Sequence, residues 1–426
     1  MLGKIIQRKN IFLVLAVFFG CCVIVLNAQE QTLIEETLGP ENTSITSIEV
    51  IGLKRTKPHI ARYPLEQFLG RDGTTLDLNE VQAVVRDTGI LEPTAVELIE
   101  TEEGLILRLT VEEKWSIFPI PMVITGTGRT HFGFFFMDAN AFGQQDQMVL
   151  GSMFGTSGWA GIAMYNHTPN RRGMTGWNGF FMYGRQEREN MDKDEVIHHS
   201  YTTDQLRISA GLYYPFTDLV SISAGVFFTN ISLKENNEAI NPPEKGAMLL
   251  GFSPGFSFRR SSWDGYLLSQ ESFSINYTYS HNFSGSSFHQ TDFRCIYEYS
   301  LIPGFRLAIR SGAVWKSSTD ILFEEGPQKA QVDILPGDFS ARHYAGISAG
   351  FEKHLLSNRI GTLSVLSLWQ CVISHGSISG MEFDHGPSGG IRFYLSRLAL
   401  PALGLNIAYN VNSGLYQGSF AIGMGF

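Results

Sequence analysis

Charge and cysteine are both scarce in this chain. Only 17% of its 426 residues are Asp, Glu, Lys or Arg, where a soluble globular chain carries about a quarter. Of four cysteines, Cys21 and Cys22 fall in the first apolar stretch. Only Cys295 and Cys371 remain, which excludes a disulfide framework as the basis of the fold. A basic excess is missing too. The formal charge of −9 argues against a nucleic-acid partner. Beyond residue 28 no apolar run is long enough to span a bilayer as a helix. A membrane protein built from the rest must therefore be a closed barrel. Nucleophile motifs are lacking, with Ser, His and Asp scattered over distant segments, so nothing supports catalysis and no cofactor is implied.

What is abundant fits a barrel. Glycine numbers 44 residues and aromatics reach 12%. A mean hydropathy near zero does not exclude a membrane protein, because strands that alternate apolar and polar residues average out. The N-terminus reads as an export signal over residues 1–28. Lys4, Arg8 and Lys9 form its basic region, Ile11 to Leu26 its apolar core, and Ala28 suits cleavage. An uncleaved anchor, or lipidation at Cys21 after Phe18-Phe19-Gly20, stand as alternatives. An acidic, polar linker follows over 29–44.

Residues 45–114 read as a small α+β unit in the order strand, helix, helix, strand, strand. Ile45, Ile48, Val50 and Ile51 mark the first strand. Thr56 is a candidate helix cap before Pro58. Asp77 with Glu80 has capping-box spacing, and Val81, Val84 and Val85 share an apolar face. From Trp115 the helical period disappears. Sixteen strands are expected between 117 and 426, an even number that closes without an edge. Leu206, Ile208, Ala210 and Leu212 oppose Gln205, Arg207, Ser209 and Gly211, which is the period of a half-apolar strand. The last segment, Leu415 to Phe426, alternates without a break and ends on an aromatic.

Three stretches carry a family resemblance. Ile48-Glu49-Val50-Ile51-Gly52-Leu53-Lys54-Arg55-Thr56, with Val111-Glu112-Glu113-Lys114, resembles a POTRA domain. Asp138-Ala139-Asn140-Ala141-Phe142-Gly143, and the run from Gly389-Gly390-Ile391-Arg392-Phe393 to the terminal strand, resemble the barrel of BamA-type outer-membrane assembly factors, TamA-type relatives and two-partner secretion transporters. The resemblance implies an outer-membrane location with the POTRA domain (45–114) in the periplasm and the barrel at 115–426. It implies unfolded outer-membrane or secreted polypeptides as substrates, outer-membrane lipids as surroundings, and periplasmic or lipoprotein partners. Assembly factor, secretion transporter and passive pore all stay open.

Two candidate sites follow. The longest insertion, 318–341, matches the family's lumen loop. Arg342 and Tyr344 match its tip, with His343 where Gly is usual. Glu352 and Gln370 match the wall positions that hold the family's Arg, with Gln370 in place of Asp. The second candidate is a lateral seam between the first and last strands. Pro119 and Pro121 lack the N–H a ladder needs and share parity. Gly418, Gly423, Gly425 and Phe426 lie on the final strand. His198 and His199 beside Asp192, Asp194 and Glu195 could be assembled into a metal site, but read better as a solvated loop. Arg171-Arg172 reads as an ordinary turn. Cys295 and Cys371 take the lipid-facing parity.

Overall fold

The computed structural model describes residues 43–422, except 127–128, 157, 168–173, 218, 236–237, 265–266, 359–360, 377–379 and 396–402. The export signal, most of the linker, Arg171-Arg172, Gly423, Gly425 and Phe426 lie outside the described residues.

The first unit is a three-stranded mixed sheet with two helices. β1 (Ile45–Ile51) runs parallel to β3 (Gly104–Glu113), and β2 (Leu91–Thr101) pairs antiparallel with β3 on its other side. Between β1 and β2 come α1 (Pro58–Arg62), a 3-10 turn over Tyr63–Phe68, and α2 (Leu78–Arg86). One buried cluster joins them: Ile45 and Ile48 from β1, Leu65 and Phe68 from the turn, Val81 and Val85 from α2, and Leu107 and Leu109 from β3. Gly52 is required where the chain leaves β1. Its φ is +99°, and a Cβ there would stand 2.1 Å from the Val111 carbonyl oxygen. Asp77 caps α2 by accepting from the Asn79 N–H, but the capping box does not close, because Glu80 turns to Arg71 at 3.2 Å. Nor does Thr56 cap α1. Lys57 takes the cap position without a side-chain bond, and Thr56 is buried elsewhere.

The second architecture is a single antiparallel sheet of sixteen strands, each paired with its neighbours in chain order. The strands are β4 (Ile117–Gly126), β5 (Arg129–Ala141), β6 (Asp146–Gly155), β7 (Gly158–His167), β8 (Gly176–Met191), β9 (Ile197–Pro215), β10 (Val220–Lys234) and β11 (Ala247–Asp264). They continue with β12 (Leu267–Asn282), β13 (Phe288–Ile302), β14 (Phe305–Lys316), β15 (His343–Ser357), β16 (Gly361–His375), β17 (Met381–Leu395), β18 (Leu403–Tyr409) and β19 (Tyr416–Ile422). The first and last come side by side, so the sheet curls into a barrel. Polar or small side chains face inward: Ser364, Gln370 and Ser374 on β16 are buried. Outward positions are large, apolar and exposed, as with Phe132, Phe134 and Phe136 on β5 and Leu405 and Ile407 on β18. A surface of that kind, repeated around a sheet, suits lipid and not water. No helix among the described residues is long and apolar enough to cross a membrane.

Candidate functional site

The seam starts from two prolines. Both lie inside β4, opposite Phe136 and Phe134 of β5. The Ala139 N–H donates to the Ser116 carbonyl at 2.8 Å, so residue 116 is in a hydrogen-bonded pair with β5. Such pairs alternate along an antiparallel ladder. Residues 118 and 120 therefore face β5, and the nitrogens of Pro119 and Pro121 turn to the other neighbour, β19. Among the described residues β4 and β19 run together without a ladder. Gly418 on β19 is exposed, and a Cβ there would meet nothing within 4 Å.

The insertion between β14 and β15 folds into the lumen. Its 3-10 turn Ile321–Phe323 buries Leu322 and Phe323 against Tyr201, Ile231, Leu249 and Phe288 of the wall. Val332, Ile334, Leu335 and Phe339 pack with Val314, Tyr344, Val372 and Ala408. Polar ties cross to both sides. The Asp333 N–H donates to the Gln370 amide oxygen at 2.8 Å, and Asn406 donates to Asp333 at 2.8 Å. Lys329 reaches Asp292 at 3.0 Å. Opposite, Arg188 donates to the Leu322 carbonyl and the Met191 N–H to the Asp338 carbonyl, both at 3.3 Å. The Tyr344 hydroxyl donates to the Glu325 carbonyl at 2.9 Å. Burial pushes the Glu325 carboxyl up, but Lys316 at 2.8 Å and Lys329 pull it below its ordinary range.

Small unit and barrel meet at a polar joint. Arg55 pairs with Asp138 at the end of β5 and donates to the Ser116 hydroxyl at 2.9 Å, just before β4. Buried Asn140 donates to the buried Thr56 hydroxyl at 2.8 Å, and Gln145 to the Thr88 carbonyl at 2.7 Å. The Lys57 N–H donates to the Gly143 carbonyl at 2.9 Å. Gly143 has φ +71°, and a Cβ on it would lie 2.1 Å from the Arg55 carbonyl oxygen. Behind this face Glu113 accepts the N–H groups of Lys54, Arg55 and Thr56 at 2.7–3.0 Å. Burial raises its carboxyl, but those three donations outweigh it and leave it below the usual carboxylate range.

A sixteen-stranded barrel with a lumen insertion and a small α+β unit before its first strand has known counterparts. No family model matches the sequence, and neither does any curated protein at a meaningful level. Solved structures do. CdiB from Acinetobacter baumannii aligns with a TM-score of 0.61 at 13% identity, over 90% of this chain and 74% of that one. CdiB from Escherichia coli gives 0.61 at 13%, over 89% and 74%. BamA from Haemophilus ducreyi, in a form lacking POTRA domains 1–3, gives 0.55 at 12%, over 89% and 84%. The chain shares the BamA and CdiB fold.

Within that fold the expected latch residues separate into two groups. Tyr344 and Gln370 touch the insertion. Arg342 and Glu352 are not brought together. They are ten residues apart on one strand line, about 33 Å, beyond any side chain's reach. The Arg342 N–H pairs with the His375 carbonyl, while Glu352 is fully buried at the opposite end of β15. It accepts from Arg306 at 2.5 and 2.9 Å, Arg392 at 2.9 Å, Tyr394 at 2.9 Å, and Ser364. Arg306 also pairs with Glu298 at 3.0 Å, and Glu298 with Arg310 at 2.5 Å. Two carboxylates and three guanidiniums are thus locked across β13–β17. The sequence reading missed Arg306 and Arg310; their spacing on β14 was the available signal, but only pairing with β13 and β15 supplies their acids. The acids and histidines around 192–199 do not converge. His198 pairs with Asp192 at 2.9 Å, His199 with the Asn241 carbonyl, and Glu195 with Gln417 at 3.2 Å.

Proposed function

We propose that this chain is an outer-membrane assembly factor. In this reading residues 45–114 form a POTRA domain in the periplasm that receives unfolded polypeptide, and the barrel inserts it at the β4–β19 seam by offering an unpaired edge as a template. The observation that carries the reading is the juxtaposition of two edge strands without a ladder among the described residues, with the proline nitrogens turned to that side. Gly418 belongs to the strand that would swing, and Gly423, Gly425 and Phe426 follow it in the sequence. Tyr344 and Gln370 act as the latch that keeps the insertion seated. A passive pore fits less well, because the insertion lies in the lumen and is tied to facing walls.

A secretion transporter is the second reading. It is favoured by the likeness to CdiB. A panel of disulfide pairs, one cysteine on β4 and one on β19 with Cys295 and Cys371 changed to serine, separates the two. Under the assembly reading a locked seam depletes outer-membrane barrels in general, and reduction restores them. Loss of a single secreted product on depletion, with locked variants still active, rejects it in favour of secretion.

A further inference from the structure

Where β16 ends and β17 begins, at the rim far from the small unit, two carboxylates share the lumen face with a hydroxyl. Ser374 stands directly opposite Glu382 in the pairing, and Asp384 follows two residues along β17 on the same face. Cβ atoms lie about 5 Å apart across such a pair and about 7 Å apart along the strand. Asp384 is fully buried and Ser374 is 1% exposed. The Asp384 Oδ2, Glu382 Oε2 and Ser374 Oγ atoms are all buried and have no hydrogen-bond partner among the described residues. The Ser374 hydroxyl therefore does not donate to the carboxylate it faces. The other oxygens are accounted for. Asn410, at the head of the β18–β19 turn, donates to Asp384 Oδ1 at 3.1 Å, and the Lys193 ammonium stands 3.7 Å from Glu382 Oε1. Buried polar atoms without a partner are uncommon, and three on one patch of wall point to a shared one.

We propose that Ser374, Glu382 and Asp384 form a binding site for a calcium ion. Charge comes first. A buried carboxylate without a counter-charge is strongly unfavourable, and Lys193 answers only one of the two. A proton on Asp384 Oδ2 would not satisfy it, because the hydroxyl so formed would lack an acceptor. A water bridging the three atoms would leave the charge in place. A divalent cation meets both needs, taking lone pairs from all three oxygens and offsetting their charge. Ligand type then selects the metal. The three donors are hard oxygens, which suit calcium or magnesium and not a transition metal. Histidine takes no part, since His375 faces outward and stacks on His343 at 5.6 Å. Magnesium demands near-ideal octahedral geometry with short bonds. Side chains rooted at fixed ladder positions fit the looser shell of calcium, with bonds of about 2.3–2.6 Å. The Glu382 side chain is 22% exposed, so the ion can enter from the rim and keep water ligands on that side. An ion here joins β16 to β17 and, through Asn410, to the β18–β19 turn. Either reading of the function accommodates it.

The test uses the full chain folded in detergent, stripped with a chelator and titrated with calcium chloride at pH 7.5 in a calorimeter. Gel mobility with and without heating confirms that each variant is folded. One ion per chain is expected, with a Kd of about 0.1–1 mM, the range of extracellular calcium modules. Glu382→Gln and Asp384→Asn should each weaken binding at least about tenfold and Ser374→Ala about threefold, because affinity follows ligand charge and number. Glu238→Gln, an exposed carboxylate on the β10–β11 loop, should change nothing. Lys193→Gln removes the competing ammonium and should tighten binding about threefold. Lys193 lies on the turn between β8 and β9, so this variant decides the question if the buried ones do not fold. No saturable binding at millimolar calcium, parental affinity in folded Glu382→Gln, or unchanged affinity in Lys193→Gln would overturn the site. Magnesium binding as tightly as calcium would overturn the choice of metal.

Discussion

Replacing Glu352 with glutamine tests what holds the lumen wall. Its two oxygens serve Arg306, Arg392, Tyr394 and Ser364 in a fully buried position. Removing one partner from a buried ion pair costs about 3–5 kcal/mol, because the charge left behind stays desolvated. Arg306 keeps Glu298 at 3.0 Å, so the lower end applies, about 3 kcal/mol or roughly a hundredfold in the folding equilibrium. Arg342→Ala removes a side chain without an ion pair among the described residues and is expected within about 0.5 kcal/mol of the parent. Urea unfolding of the refolded barrel in lipid, followed by tryptophan emission and gel mobility, reads both. Replacing Arg306, Glu352 and Arg392 together by apolar residues of similar volume, which leaves the Glu298–Arg310 pair in place, should recover most of the loss. An Arg342→Ala penalty as large as that of Glu352→Gln, with no coupling between Arg306 and Glu352, would refute the assignment and return the latch to Arg342.

Three more outcomes concern the joint. Among the described residues Arg55→Ala leaves Asp138 with the Ser116 hydroxyl and the Asn140 N–H; Arg55 is about one-third exposed, so about 1–2 kcal/mol of docking is lost, read as faster amide exchange over 54–57 and 140–145. Gly143→Ala should cost more than the about 1 kcal/mol of a left-handed alanine, because its methyl meets the Arg55 carbonyl; wild-type exchange there would disprove the close approach. The Glu113 carboxyl is depressed from its ordinary 4.5, so its contribution is full above that value and lost as pH falls through the lower folded one. Protection of the Lys54, Arg55 and Thr56 amides should therefore collapse in acid, and Glu113→Gln should flatten the dependence. Protection unaffected by acid in the wild-type chain, after correction for intrinsic rates, would contradict the role given to Glu113.

Many of the barrel strands were legible because a wall with one apolar and one polar face imposes period two on them. Their polar extensions were not. β8 continues through Gln186–Met191 and β9 begins at Ile197, in segments with no apolar face to mark them. Site residues were legible where function and local pattern coincide. Pro119 and Pro121 speak through their own missing N–H groups. Glu352 and Gln370 were found as wall positions, but their partners were not, because register decides which carboxylate meets which guanidinium. Thr56 shows the same limit: its spacing before Pro58 is that of a cap, yet a side chain 84 residues away uses its hydroxyl.

The restraints among the described residues are distributed unevenly. β13 to β17 are cross-linked inside the lumen by five buried charges, and the insertion ties β13, β15, β16 and β18 to β8. β4 is held over its whole length by β5, and the Arg55–Ser116–Asp138 cluster fixes its first residues to the small unit. β19 has less. The lumen-side tie on β19 is an exposed Gln417–Glu195 contact at 3.2 Å, and exposed polar contacts hold little. In the proposed opening at the seam the two edges are therefore not equivalent. In that opening β4 would stay with the small unit as the fixed edge, and β19 would be the part that swings, because the insertion holds β18 through Asn406 and Ala408 and elements with the fewest buried restraints open first.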